Sequence, residues 1–99
     1  MRKIVYAGGT FYTGNDVAEA LLEYAGALAR SSTAATVVIP GRTPDGAVGE
    51  VEVLIGPASQ LISEPVPDED LLEIVDVDVT ERLRGLTAGL DREGSGQRG

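Results

Sequence analysis

The sequence predicts a small α+β domain, and three stretches carry that expectation. They are an amphipathic helix over residues 16–30, a two-strand hairpin around Thr43-Pro44-Asp45-Gly46, and a second amphipathic helix after Asp78. A hairpin enforces antiparallel pairing, so these elements do not alternate as a doubly wound parallel sheet would require. At 99 residues the chain makes one domain, placed at residues 1–90. Residues 91–99, polar and carrying three glycines, are expected to form a disordered tail.

The first strand is expected at Lys3–Ala7, prolonged through Phe11 and Tyr12, where aromatic and β-branched residues favour extended chain. Gly8-Gly9 would mark a bulge or a close backbone approach within it. In the helix that follows, Asp16 as cap and Glu19 three residues on outline a capping box. Val17, Leu21, Ala25 and Leu28 form its apolar stripe, widened by Leu22 and Ala29, and Arg30 suits the negative helix end. Ala35–Ile39 has the composition of a strand and meets Pro40, which should stop it. Val48–Ile55 alternates, with Val51, Val53 and Ile55 on one face and Glu50 and Glu52 on the other, the pattern of a half-buried strand. Pro44 and Gly46 suit the turn between the two.

Gly56-Pro57 turns the chain into a strand at Ser59–Glu64, closed by Pro65 and Pro67. Residues 68–77 combine a helical spacing of leucines with an alternating run of valines, and the β-branched content favours a short strand. The last helix should take Asp78 as its cap, bury Val79, Leu83, Leu86 and Leu90, and end near Gly89. The expected order is β-α-β-β-β-(β)-α. That makes a mixed sheet of four to five strands with one right-handed crossover and two helices packed on one face.

Sixteen acidic and eight basic residues give a net charge of −8. Lys3 is the sole lysine and the seven arginines are scattered, so nucleic acid and anionic lipid surfaces are poor partners, whereas a basic protein or peptide suits the charge. No apolar run is long enough to span a bilayer, and a cytosolic location is expected. The excess of arginine over lysine, with abundant alanine, glycine and valine, suggests a bacterial source of high GC content.

Chemistry is sparse. With no histidine and no cysteine, the commonest general base and the best nucleophile are missing, and no cofactor is implied. Gly9 and Gly14 match the glycine spacing of a phosphate-binding loop, but Asn15 and Asp16 stand where that loop needs Lys and Ser or Thr. Carboxylates near the helix start would also repel an anion. The acidic run from Glu64 to Glu81 fails the spacing of a calcium loop in both registers, so no metal site is expected.

Two readings remain. One is a non-catalytic interaction module, a homodimer on base rate, with Asp68, Glu69, Asp70, Glu73, Asp76 and Asp78 facing a basic partner. The alternative is a small polar ligand, or a slow reaction, in a cleft built from Thr10, Tyr12, Thr13, Asn15, Ser59 and Gln60.

Overall fold

The computed structural model describes residues 1–7, 9–67 and 73–96. The chain folds as an α+β domain in which a five-stranded antiparallel sheet carries two helices. The elements in order are β1 (Arg2–Tyr6), β2 (Gly9–Thr13), α1 (Asn15–Arg30), β3 (Ala35–Arg42), β4 (Val48–Ile55), β5 (Ile62–Pro65) and α2 (Val77–Gly96). Across the sheet the strands run β4-β3-β2-β1-β5.

The fifth strand comes from the N-terminus. The single long strand expected there is two, reversing so that Tyr6 sits opposite Gly9 and Ile4 opposite Phe11. Gly9 has no side chain, which lets the Tyr6 ring lie across it; a Cβ there would press on that ring. Tyr6 then meets Phe11 edge to face, with ring centroids 5.8 Å apart. Because β2 runs opposite to β1, α1 leads away from it and β3 returns antiparallel. The parallel crossover of a mixed sheet is therefore absent among the described residues.

β3 runs straight through Pro40. The Pro40 carbonyl accepts a hydrogen bond from the buried Thr13 hydroxyl of β2 at 2.7 Å. Main-chain N and O of one strand residue point to the same side, so the donor that proline lacks also faces β2 and no bond to β4 is lost. The turn after β3 forms as its residues dictate, with Gly46 at φ 95° and Gly46 N–H bonded to the Thr43 carbonyl at 2.9 Å. Asp45 accepts from the Thr43 hydroxyl and then from the Ala47 N–H, and these bonds hold its carboxyl below the ordinary value.

β3 meets β2 through one residue pair, Tyr12 opposite Arg42. In a flat sheet, the registers would leave Ile55 and Ile62 about 31 Å apart along the strands and about 19 Å apart across them. Residues 56–61 reach about 25 Å at full stretch. The β3–β4 hairpin must therefore turn at the Tyr12–Arg42 junction and bring the end of β4 toward the β1–β5 arm.

One core joins the layers: Ile4 and Phe11 of the N-terminal hairpin, Val37, Ile39, Val53 and Ile55 of the β3–β4 hairpin, Val17, Leu21, Tyr24 and Leu28 of α1, and Leu83 of α2. Tyr24 takes the place expected for Ala25, and Ala29 is exposed, so the buried stripe of α1 is rotated toward its larger side chains. Arg84 pairs with Glu19 at 3.6 Å and Arg30 with Asp91 at 3.2 Å, so α1 and α2 lie side by side and parallel.

α2 differs from expectation at both ends. It starts at Val77, with Asp76 rather than Asp78 at its cap: the Asp76 carboxylate accepts the Val79 N–H at 3.0 Å. Residues 73–76 are not a strand, and residues 68–72 lie outside the described residues. At the other end the helix continues through Gly89 and over residues 91–96, part of the stretch expected as a tail. Residues 97–99 are outside the described set. Gly89 keeps a negative φ, so it does not terminate the helix, and the Asp91–Arg30 pair holds the next turn against α1.

Candidate functional site

Both helices cover one face of the sheet, and among the described residues no helix covers the other, the bare face. Alternation along each strand assigns that bare face: Lys3 and Val5 on β1, Thr10 and Tyr12 on β2, Thr36, Val38 and Arg42 on β3, Val48, Glu50, Glu52 and Leu54 on β4, Ile62 and Glu64 on β5. One row crosses all five strands as Val48, Arg42, Tyr12, Lys3 and Glu64. Large apolar groups stand open among these charges: Leu54 is 71% exposed, Val48 62% and Ile62 55%.

Where the two arms of the sheet approach each other lies a cavity of about 630 Å³. Glu52 and Leu54 of β4 line it together with Val5, Tyr6 and Ala7 of the N-terminal hairpin, Ile62 of β5, and Ala58, Ser59, Gln60 and Leu61 of the connection. It is an apolar space with Glu52, Ser59 and Gln60 as its polar side chains, a composition that suits an apolar body with a few oriented polar atoms.

The residues expected to form a polar cleft are dispersed. Ser59 and Gln60 line the cavity, although the Ser59 hydroxyl also accepts the Gly56 N–H at 2.8 Å and so shapes its own turn. Tyr12 borders a shallower depression with Lys3, Glu64 and Pro65. Thr10 lies opposite Val5 on the bare face. Thr13 faces the core and is spent on Pro40. Asn15 begins α1 and accepts from the Met1 ammonium at 2.7 Å. The division of the first strand into two is what separates this set.

The start of α1 is closed by a carboxylate, though not by the one expected. Gly14 occupies the cap position and offers no side chain, and Asp16 caps nothing. Instead Glu73, 58 positions along the chain, accepts the Asn15 N–H at 2.9 Å and pairs with the Met1 ammonium at 2.7 Å. Burial of this carboxyl opposes its charge, but the hydrogen bonds from the ammonium and from Asn15 outweigh it and hold the carboxyl below its ordinary value. With a carboxylate already bonded to the helix's first N–H, a phosphate would meet repulsion there.

The acidic set divides in the same way. Glu73 and Asp76 serve the starts of α1 and α2, Asp78 is exposed, and Asp68, Glu69 and Asp70 lie outside the described residues. Among the described residues no group of three or more acidic side chains is placed to hold a metal ion. No described helix is long and apolar enough to cross a membrane. No protein-family model, curated protein or solved structure matches the chain.

Sequence reasoning missed Leu54 and Ile62. A signal for Leu54 was present, because strict alternation along β4 puts it on the same wet face as Glu50 and Glu52. The signal for Ile62 was not, since its neighbours fix no face without the register to β1.

Proposed function

We propose that the protein is a non-catalytic interaction module that takes a basic protein or peptide on the bare face of its sheet. The observation that carries this is the exposure of Val48, Leu54 and Ile62 among Glu50, Glu52 and Glu64 on the face without helices. Lys3 and Arg42 stand further in on this face, but along β4 the exposed apolar groups alternate with carboxylates alone, which favours a partner of opposite charge that also buries aliphatic surface. The whole-chain charge of −8 and the lack of imidazole and thiol groups support the same conclusion. A homodimer is less favoured on charge: pairing two copies antiparallel through β4 with Val48 opposite Leu54, which keeps the bare faces on one side, sets Glu50 beside Glu52 of the second copy.

Titrating the isotope-labelled protein with a short peptide of mixed lysine and leucine tests this. Amide shifts should cluster on the bare face, and affinity should fall as ionic strength rises past about 0.1 M, where screening reaches about 10 Å. Shifts confined to the helices, or binding indifferent to salt, would refute it.

The cavity supports a second reading, a small and largely apolar ligand oriented by Gln60. Its size falls within the usual range of about 300–1,000 Å³ for ligand sites. In that case an apolar fluorescent probe should bind stoichiometrically, and Leu54→Asp should abolish binding with the melting temperature unchanged.

A further inference from the structure

We propose that β4 receives an extended segment of the partner as a sixth strand, and that this segment carries apolar, basic, basic and apolar side chains at successive alternate positions. The proposal rests on the interaction reading above and names the surface and the partner's chemistry.

β4 is an edge strand eight residues long, with no pairing on its outer side among the described residues. The opposite edge, β5, has four residues and ends in Pro65, which makes it a poor template. Which main-chain groups β4 offers follows from β3. The Pro40 carbonyl bonds to Thr13 and the Val38 carbonyl accepts from Arg82 at 3.4 Å, so neither points into the β3–β4 ladder. Their partners, Glu50 and Glu52, belong to the wide pairs of that ladder and direct their own N–H and C=O outward. The same alternation turns Val48 and Leu54 outward.

The four residues of β4 whose main-chain groups point outward, unpaired among the described residues, are therefore the four whose side chains stand on the bare face. A strand added here would be held by main-chain bonds and read through side chains directly opposite, each about 5 Å away. Val48, Glu50, Glu52 and Leu54 read the same from either end in chemical type, so the complement is apolar–x–basic–x–basic–x–apolar in either direction. The apolar residue beside Leu54 would also face the cavity shared with Val5 and Ile62. A second copy of the chain offers Val, Glu, Glu and Leu instead, which sets carboxylate against carboxylate.

The test uses the full chain and a synthetic peptide in which threonine alternates with leucine, lysine, lysine and leucine. At saturation, hydrogen exchange at the Glu50, Glu52 and Leu54 amides should slow at least about tenfold, while the Val51 and Val53 amides, already bonded to β3, stay as they were. A peptide with glutamate in place of lysine should not bind. Glu52→Gln should weaken binding about threefold to tenfold and flatten its salt dependence. Glu52→Pro, which removes an outward donor without touching the β3 ladder, should weaken it at least about tenfold. If Glu52→Pro does not fold, the exchange pattern and Glu52→Gln decide. Binding on the bare face without protection of the β4 amides overturns strand addition and leaves the interaction reading standing. No binding of the peptide overturns both. Protection of the same amides by self-association, without peptide, assigns the edge to a second copy and overturns the proposal.

Discussion

The two ends of α1 are closed by opposite means. At its C-terminus the chain closes itself: Thr33 N–H bonds to the Leu28 carbonyl at 3.0 Å and Ser32 N–H to Ala29 at 3.2 Å, with Ser32 in the left-handed region at φ 52°. At its N-terminus the closing groups come from far along the chain, with the Glu73 carboxylate on the Asn15 N–H and the Ile74 backbone laid against Gly14. A locally closed end depends on its own few residues. A remotely closed end also fixes the route of the segment that closes it, here the approach to α2 across the start of α1.

The largest effect should come from forcing these two segments apart. A Cβ on Gly14 would overlap the Ile74 carbonyl oxygen, and the obstacle is backbone that no rotamer change can clear. Gly14→Ala should therefore destabilise the fold by at least about 3 kcal/mol, read as a lowered urea midpoint with unchanged slope. A variant of near wild-type stability would mean that the 73–76 segment does not hold α1.

Removing the carboxylate alone should have a smaller effect. Glu73→Ala loses a helix-start bond, a change that costs about 1 kcal/mol in comparable caps. Its signature is pH dependence. Folding lowers this carboxyl below its ordinary value of 4.5, so the unfolded chain takes up the proton first as the solution is acidified. The stabilisation is complete above that value and is lost as pH falls through the lowered one. The gap in stability between wild type and Glu73→Ala should be constant at pH well above 4.5 and close as acidification carries the folded carboxyl through its lowered titration. A gap that stays open in acid would assign the effect to packing.

The same contrast explains what the sequence discloses. The Thr43–Gly46 turn and the alternation of β4 depend on neighbours within a few positions and form where their residues predict. The stripe of α1 keeps Val17, Leu21 and Leu28 but rotates from Ala25 and Ala29 onto Tyr24. The passage of β3 through Pro40 depends on Thr13, a donor 27 positions earlier that leaves no mark near the proline. The Asp16 capping box has the correct spacing and still yields to Glu73, because no local pattern announces a carboxylate arriving from the other end of the chain. Of the candidate site, Ser59 and Gln60 were legible as polar groups in a turn. Their separation from Tyr12 and Asn15 depends on the reversal between Tyr6 and Gly9, which the apolar run hides inside what resembles a single strand.

The smallest effect belongs to the self-closed end, and it should be a gain. Ser32 holds a conformation that costs a side-chain-bearing residue about 1–2 kcal/mol and costs glycine almost nothing, the reason helices so often end on glycine at this position. Glycine's greater freedom in the unfolded chain takes back about 0.5–1 kcal/mol. Ser32→Gly should therefore stabilise the protein by about 0.5–1 kcal/mol, raising its melting temperature by a few degrees. Because the closing bonds come from main-chain N–H groups, the substitution removes none of them. The gain should also be independent of pH and add to the loss in Glu73→Ala, since the two ends of the helix share no partner. Failure of that additivity would show that the remote closure at Gly14 and the local one at Ser32 are coupled through the helix between them.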